Sequence, residues 1–223
     1  MSKNKLRKFE EIRQFANVTE FVPPLPEAFD FKGTWGEAVF GNDHPLHLEL
    51  ACGKGEYAIA LGMMYPKQNF IGIDIKGSRI WNGAKKALQK GIENVHFLRM
   101  YIDHISEVFA EGEVNDIWIT FPDPYLRESD EKKRLTSPKF LSLFRKIAKP
   151  ETCIHLKTDD PTLYSYTLGV IEDEHLPLLK NIGNIYKSSE AAEELTSVQT
   201  FYEKKHLKAD KSIRYICFRL FPD

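Results

Sequence analysis

Short apolar segments alternate with longer segments of helical periodicity along most of this chain. The apolar segments are rich in Ile, Leu, Val and Phe, which is typical of strands. All but the last are followed by a segment that can form a helix, so the pattern predicts βαβ units, a mostly parallel sheet and helices on both faces. The predicted strands are LHLEL (46–50), NFIGIDI (69–75), NVHFLRM (94–100), VNDIWITF (114–121), CIHLKT (153–158) and IRYICFRLF (213–221).

The region before this pattern has a different composition. Residues 1–20 are polar and basic and predict a partly helical arm, and VPPLPEAF (22–29) predicts a connector broken by prolines. The chain has 223 residues, of which 42% are hydrophobic, enough for one sizeable core. We therefore expect residues 1–31 to form a basic arm with its connector and residues 32–223 to form the main domain.

The cysteines and the absence of long apolar runs bear on location. Cys52, Cys153 and Cys217 form no CxxC pair and have no histidine cluster beside them, which argues against a metal site and favours a reduced compartment. No apolar run approaches the roughly 18 residues that span a membrane, and the basic N-terminus has no apolar segment of a signal peptide behind it. These features predict a soluble, cytoplasmic protein without a metal.

The turn after the first predicted strand, ACGKGEY, contains Gly53 and Gly55. Glycines here let the backbone approach a ligand, and the N-terminus of the following helix favours anions. Ligands of parallel sheets bind beyond the carboxyl ends of the strands, which is where this turn lies. GKGEYA also matches the dinucleotide pattern GxGxxA, so the turn alone does not select the cofactor.

Two carboxylates beside this turn discriminate between cofactors. Glu49 lies at the end of the first strand, and Asp74 ends the second. An acid at the end of the second strand suits the ribose hydroxyls of either a nicotinamide cofactor or S-adenosylmethionine. Glu49 would repel the pyrophosphate of a dinucleotide, but it can pair with the cationic amino-acid end of S-adenosylmethionine. The two together favour S-adenosylmethionine.

The segment FPDPYLRESDEKKRL (121–135) places Asp123 between two prolines directly after the fourth strand. The prolines restrict the backbone on both sides, so the carboxylate is held rigidly at the strand end. Residues 127–149 then contain eight Lys or Arg and three acidic residues, a net charge of +5 in a chain whose total is −1. Such a patch attracts polyanions, although a solvated helix face has the same composition.

Six motifs, in order, resemble those of the single-subunit bacterial tRNA (guanine-N7-)-methyltransferases. The resemblance runs from about residue 32 to the C-terminus. It implies a Rossmann-like class I methyltransferase with an antiparallel C-terminal strand, which moves a methyl group from S-adenosylmethionine to N7 of a guanosine in the variable loop of tRNA. Both monomers and homodimers remain open. The motifs are KGTWGEAVFGNDHPLHLELACGKG (32–55), NFIGIDIK (69–76), FPDPY (121–125), EKKRLTSPKFL (131–141), HLKTDD (155–160) and TFYE (200–203).

The resemblance also implies roles for individual residues. Asp123 matches a catalytic residue that also lies next to the cofactor. Guanine N7 has a lone pair and no proton, so Asp123 makes most sense as an acceptor that orients the N1–H and N2 amino edge. The residues matched to cofactor binding are Glu49, Gly53, Gly55 and Asp74, and those matched to the guanosine are Arg127, Asp159, Thr200, Phe201, Tyr202 and Glu203.

The expected RNA contacts involve departures from the family. Tyr125 stands where the family commonly has tryptophan, and the segment 128–130 interrupts its basic run with Glu, Ser and Asp. These acids weaken the expected RNA surface. The phosphate contacts that we expect in this region are Arg127, Lys132, Lys133 and Arg134.

A further departure follows the third strand, where the family usually has an acidic or amide residue near the adenine. The stretch MYIDH offers Tyr101, Asp103 or His104 for this position, and we select Asp103.

Three other functions remain open from the sequence. A dinucleotide-dependent oxidoreductase would make no use of Glu49 or of the PDP turn. A methyltransferase acting on another substrate would keep the same cofactor residues. A tRNA-binding protein could retain the cofactor pocket without turnover.

Overall fold

The computed structural model describes residues 3–23 and 29–222, with the side chains of residues 3–6 left out. Its centre is an eight-stranded sheet with the order β1-β4-β3-β2-β5-β6-β8-β7. The strands are β1 (Val18–Phe21), β2 (Leu46–Leu50), β3 (Asn69–Asp74), β4 (Val95–Met100), β5 (Val114–Thr120), β6 (Ala148–Thr158), β7 (Leu178–Ile182) and β8 (Arg214–Arg219).

Helices cover both faces of this sheet. In the part of the chain that the structure describes, none of them combines the length and the apolar character that crossing a membrane requires. The helices are α1 (Lys3–Ile12), α2 (Glu56–Met64), α3 (Gly77–Gln89), α4 (Ile105–Val108), α5 (Pro138–Arg145), α6 (Pro161–Asp173), α7 (Glu193–Ser197) and α8 (Phe201–Lys208).

The predicted fold class is confirmed. Neighbouring strands from β1 to β6 pair in parallel, and β8 alone runs against its neighbours β6 and β7. Every residue of β2 and β3 is buried, because helices cover both faces of the sheet at its centre. The parallel register brings the ends of β2, β3, β4, β5 and β6 to one edge, and the loops that follow them meet there.

Two strands were not expected from the sequence. β7 is an edge strand whose first four residues are exposed, so its sequence lacks the apolar pattern that identifies a strand. β1 lies in the segment expected to be a basic arm, and it pairs with β4. The division of the chain between residues 31 and 32 stays a prediction, and residues 24–28 of the expected connector lie outside the described residues.

The glycine turn is held by close backbone packing. Gly55 has a φ of +59°, and a Cβ on it would lie 2.2 Å from the Phe97 ring. On α3, a Cβ on Gly83 would lie 2.2 Å from the carbonyl oxygen of Lys54. Since that oxygen belongs to the backbone, the helix can approach the turn this closely only with glycine at position 83. The position of the turn therefore depends on α3.

We expect Gly83→Ala and Gly169→Ala to change stability in opposite directions. Gly169 lies within α6, and a methyl group added to it would meet no described atom within 4 Å, so alanine there should stabilise the fold by about 0.5–1 kcal/mol. Gly83→Ala should destabilise it by roughly 1–3 kcal/mol, because the methyl group overlaps a backbone oxygen. Urea unfolding midpoints at unchanged slope measure both. Equal midpoint shifts in the two variants would contradict the packing argument.

Candidate active site

A cleft of about 680 Å³ lies at the carboxyl edge of the sheet. Its lining comes from the ends of β2 to β6 and from the start of α8, regions that are far apart in the sequence. The floor contains carboxylates, and apolar side chains form part of the wall. Those apolar residues are Ile75, Met100, Ile102, Leu135 and Phe140.

Glu49 lies on the floor of the cleft and is only 3% exposed. Its Oε2 accepts a hydrogen bond from the backbone N–H of Ala58 at 2.8 Å, and its Oε1 accepts one from the Thr120 hydroxyl at 3.0 Å. Burial raises the pKa of this carboxyl to about 8, and the charges of Glu56 and Asp74 add to the rise. A cation that binds beside Glu49 would therefore stabilise the ionised form of its carboxyl group.

Asp74 connects the glycine turn to the end of β3. Its Oδ2 accepts a hydrogen bond from the Gly53 N–H at 2.9 Å, and its Oδ1 accepts one from the Lys76 N–H at 2.8 Å. A carboxylate has about four acceptor positions, so Asp74 keeps capacity for a ligand while it holds both loops. A Cβ on Gly53 would have no described atom within 4 Å, so the turn is open at that residue.

The loop after β4 places Tyr101 and Asp103 at the cleft, together with Ile102. Asp103 is exposed and forms an ion pair with Lys139 of α5. His104 is bonded instead to Glu107 at 2.6 Å and does not line the cleft. Of the three candidates for contact with the adenine, the structure thus brings two to the cleft.

The PDP turn is held from behind by a buried arginine. Arg134 is 2% exposed, and its guanidinium donates hydrogen bonds to the carbonyl oxygens of Pro124 at 3.0 Å and Tyr125 at 2.9 Å. The expected phosphate contact by Arg134 is therefore wrong, because its charged group lies inside the protein. Phe121 and Tyr125, at the two ends of the turn, have φ values of +49° and +45°. Such conformations are costly outside glycine and persist only where surrounding contacts impose them.

Asp123 projects from this turn into the cleft. It is exposed, and among the residues that the structure describes it has no hydrogen-bond or ion-pair partner. Its position is therefore determined by the backbone of the turn and not by bonds of its own side chain. An unpaired carboxylate at a rigid turn is ready to accept hydrogen bonds from a ligand.

Asp159 follows β6 and also lines the cleft. Its Oδ2 lies 2.6 Å from the Lys211 ammonium and 3.1 Å from His206 Nδ1. The His206 ring in turn stacks on the Phe121 ring, with 5.8 Å between the centroids. The structure thus brings Asp159 to the site in contact with residues that pack against the PDP turn.

Thr200 and Glu203 are used within the protein. Thr200 lines the cleft and is the N-cap of α8, and the two residues form a capping box in which each side chain bonds the backbone of the other. Glu203 is fully buried and does not line the cleft. Its Oε1 lies 2.8 Å from the ammonium of Lys157, which is also fully buried, and accepts a hydrogen bond from the Tyr186 hydroxyl at 2.8 Å.

The first two residues of α8, together with Thr200 before them, are the part of the TFYE motif that lines the cleft. Phe201 and Tyr202 are 55% and 44% exposed, unusually high for large aromatic side chains, and both line the cleft. The Lys54 ammonium lies 4.7 Å from the centroid of the Phe201 ring. Arg127, by contrast, is exposed beyond the PDP turn and does not line the cleft.

Several residues of the site had no signal in the sequence. Thr120, Lys157 and His206 act through contacts with partners that are distant along the chain, and Arg134 acts through backbone carbonyls about ten residues before it. The strands that contain Thr120 and Lys157 and the charged run around Arg134 could be identified beforehand, but none of them indicates a specific contact. Among residues 3–23 and 29–222, no group of three or more His, Cys, Asp or Glu side chains is arranged to hold a metal ion.

The cleft fits S-adenosylmethionine in its chemistry. Buried Glu49 can pair with an ammonium group, Asp74 can accept from ribose hydroxyls, and Ile75 and Ile102 provide apolar surface for a purine. Gly53 leaves the backbone of the turn accessible. The side chains present are thus those that such a cofactor requires.

Comparison with known proteins identifies relatives over nearly the whole chain. A family model described as "Putative methyltransferase" matches residues 43–216. The tRNA (guanine-N(7)-)-methyltransferase of Christiangramia forsetii is 47% identical over 98% of this chain and 99% of its own length. The proteins of the same name from Bacteroides thetaiotaomicron and Cytophaga hutchinsonii are 46% and 37% identical over 99% and 100% of this chain, and 87% and 100% of their own lengths.

Solved structures share the fold at low identity. The 16S rRNA methyltransferase KamB superposes with a TM-score of 0.63 at 12% identity, over 89% of this chain and 96% of that one. A SAM-dependent methyltransferase from Aquifex aeolicus has a TM-score of 0.55 at 15% identity, over 99% and 100%. These two show the fold, whereas the sequence relatives show the family. The chain therefore belongs to the tRNA (guanine-N(7)-)-methyltransferase family.

Proposed function

We propose that this protein transfers the methyl group of S-adenosylmethionine to N7 of a guanosine in the variable loop of tRNA. The observation that carries the proposal is Asp123, an exposed and unpaired carboxylate held by a strained turn at the cleft of the described structure. Family membership supports the reaction, since relatives covering almost the whole chain bear the name tRNA (guanine-N(7)-)-methyltransferase. A tRNA substrate also supports a cytoplasmic location.

The cofactor supplies a methyl group on a positively charged sulfur, an electrophile that needs no metal to activate it. Glu49 pairs with its ammonium group from the floor of the cleft, and Asp74 accepts hydrogen bonds from its ribose. Gly53 and Gly55 let the backbone of the turn approach it. Asp103 and Ile102 both line the cleft, where Asp103 would accept a hydrogen bond from the adenine and Ile102 would offer it apolar surface.

Guanine N7 attacks the methyl group directly, since it carries a lone pair and no proton. Catalysis therefore depends on orientation and on stabilising the positive charge that develops on the purine. Asp123 serves both needs, because its carboxylate accepts from the N1–H and N2 amino groups and places a negative charge beside the ring. The buried Arg134 holds the turn that carries it.

The remaining substrate residues divide into three groups. Phe201 and Tyr202 face the cleft and offer aromatic surface to the extruded guanosine. Asp159 borders the same space, and Arg127 contacts the RNA outside it. Thr200 and Glu203 act on the guanosine through α8, whose first turn they hold in place.

Replacing Asp123 tests the reaction and the role of the turn together. With labelled S-adenosylmethionine and unmodified tRNA, the wild-type protein should form 7-methylguanosine, identified by nucleoside analysis. Asp123→Ala and Asp123→Asn should each lower kcat/KM by about 100-fold, because both remove the charge that faces the purine. The urea midpoint should not change, since the Asp123 side chain has no partner among the described residues.

The matched control is Asp43→Ala, which removes an exposed aspartate just before β2, at the opposite edge of the sheet. Its activity should equal that of the wild type. Full activity in Asp123→Asn would rule out the proposed role of the charge. A wild-type protein that binds the cofactor but forms no 7-methylguanosine would refute the proposed reaction.

The raised pKa of Glu49 predicts that cofactor binding depends on pH. In the free protein this carboxyl stays protonated up to about pH 8, instead of its usual 4.5, so pairing with an ammonium group must release a proton. Affinity should therefore rise with pH towards 8, by at most about tenfold per unit. The free protein should lose stability over the same interval, because its unfolded state ionises Glu49 earlier.

Calorimetric titration in two buffers of different ionisation enthalpy measures the released proton. Glu49→Gln should bind S-adenosylmethionine at least about tenfold more weakly and without this proton release. Thr120→Val is a useful comparison, because it removes only the hydroxyl that bonds Glu49 and should retain proton release. Identical proton release in wild type and Glu49→Gln would assign the titration to another group.

A further inference from the structure

Two segments of this chain carry the same net charge of +5. In residues 127–149, eight basic residues are offset by three acidic ones. Residues 76–90, which form α3 with its two flanking residues, contain no Asp or Glu at all. Their five basic residues are Lys76, Arg79, Lys85, Lys86 and Lys90.

In the first segment, half of the cations form ion pairs. Four of its eight basic residues are paired with carboxylates. Lys133 pairs with Asp130 at 2.7 Å, and the buried Arg134 with Glu131 at 2.8 Å. The other two pairs are Lys139 with Asp103 and Arg145 with Glu174. Asp130 and Glu131 belong to the segment and are already counted in its net charge, whereas Asp103 and Glu174 lie outside it. The segment together with these two outside carboxylates therefore has a net charge of +3.

The cations of α3 have no such partners. Within the described ranges, none of the five side chains forms an ion pair. Helix α1 packs against α3 and adds Lys8, whose ammonium lies 4.2 Å from the centroid of the Trp81 ring. The ammonium of Lys85 lies 4.8 Å from the same ring, and Glu11 accepts a hydrogen bond from the indole N–H at 2.6 Å. Glu11 is also paired with Arg7 at 3.3 Å.

This charge is continuous with the active-site cleft. Lys76 and Arg79, at the start of α3, line the cleft beside Asp74. The 13 residues of the helix then extend away from it for about 20 Å. We define the α3 basic face as Lys8, Lys76, Arg79, Lys85, Lys86 and Lys90.

We propose that the α3 basic face binds the phosphodiester backbone of the tRNA whose guanosine enters the cleft. The proposal rests on the function proposed above and adds the direction in which the RNA leaves the site. The cations of this face have no ion-pair partners in the described structure, so they can bind phosphates without breaking an ion pair. The counterions that they displace from a polyanion favour binding. These ammonium groups contact phosphates and do not read bases, so the surface serves many tRNAs alike.

A lipid surface fits this face less well than RNA. A helix that lies on a membrane needs a wide apolar face, but the buried face of α3 is already packed against the protein. Leu88 is the one large hydrophobic residue of α3 that is strongly exposed in the described structure. The Trp81 ring does not provide a free apolar surface either, because the ammonium groups of Lys8 and Lys85 lie over it.

The test compares two triple variants of the full chain that remove equal charge. The first is Lys8→Gln, Lys85→Gln and Lys86→Gln, on the α3 basic face and outside the cleft lining. The control is Lys67→Gln, Lys146→Gln and Lys149→Gln, three lysines without ion-pair partners in the described structure, at the amino edge of the sheet. Binding of unmodified tRNA is measured from about 50 to 200 mM salt, together with steady-state methylation.

In the α3 variant, the slope of log K against log[salt] should be less steep than in the wild type by about two units. Each lost phosphate contact removes about 0.7–0.9 from the magnitude of this slope. The KM for tRNA should rise roughly tenfold with kcat unchanged, because the contacts are equal in ground and transition states. Affinity for S-adenosylmethionine and the urea midpoint should match the wild type. The control variant should keep the wild-type slope.

Two outcomes would overturn the inference. An unchanged slope in the α3 variant would show that these lysines do not contact RNA, and equal losses in both variants would show a response to net charge alone. Binding to anionic phospholipid vesicles that exceeds binding to tRNA would replace RNA with a membrane. A wild type that binds tRNA but forms no 7-methylguanosine would refute the reaction proposed above and leave the slope comparison valid.

Discussion

The buried ion pair between Lys157 and Glu203 connects the last quarter of the chain to the sheet. Lys157 lies on β6, and its ammonium also donates to the carbonyl oxygens of Leu195 and Val198 at 2.6 and 3.2 Å. Burial lowers the pKa of Lys157, and the charge of Glu203 opposes that fall. Loss of one partner of such a pair leaves an uncompensated buried charge, which costs about 3–5 kcal/mol. The position of α8 beside the cleft, and that of α7 before it, depends on these contacts of Lys157.

The carboxylates around the cleft divide according to their partners. Glu49, Asp74 and Glu203 are buried and bonded to groups of the protein, which fixes the backbone around the cofactor and the start of α8. Asp123 is exposed and has no partner in the described structure. Its position comes from the turn, which Arg134 holds through two backbone carbonyls. The Asp123 carboxylate is thus free of bonds to the described residues, while the turn that carries it is held by the buried Arg134.

The basic residues also divide according to whether they have partners. Half of the cations in residues 127–149 form ion pairs, and three of these, Lys133, Arg134 and Lys139, follow the PDP turn beside the cleft. Helix α3 has no acidic residue to pair with its cations, and its packing against α1 adds Lys8 to the exposed charge. Gly83 holds the same helix against the turn that contains Gly53 and Gly55. One helix therefore both positions the cofactor turn and presents the positive surface beside the cleft.

The amino-acid sequence by itself determined the fold class and the location of the site. Alternating strands and helices specify a parallel sheet, and a parallel sheet brings the residues after its strands to one edge. This is why Glu49, Gly53, Asp74 and Asp123 could be placed together in advance. The strands β1 and β7 could not, because a partly exposed edge strand is stabilised by its neighbours and not by its own apolar pattern.

Only the tertiary structure decided which charged residues face the ligand and which face the protein. The sequence pattern treated Arg134 as a phosphate contact and Glu203 as a guanosine contact, yet both are buried against partners within the chain. Glu203 meets Lys157 from 46 residues away, and no local pattern indicates such a pair. Two segments of equal net charge differ in the same way: half of the cations in residues 127–149 form ion pairs, whereas within the described residues none of those in residues 76–90 does. The free energy of a charge depends on burial and on distances to its partners in space, which composition and spacing along the chain do not contain.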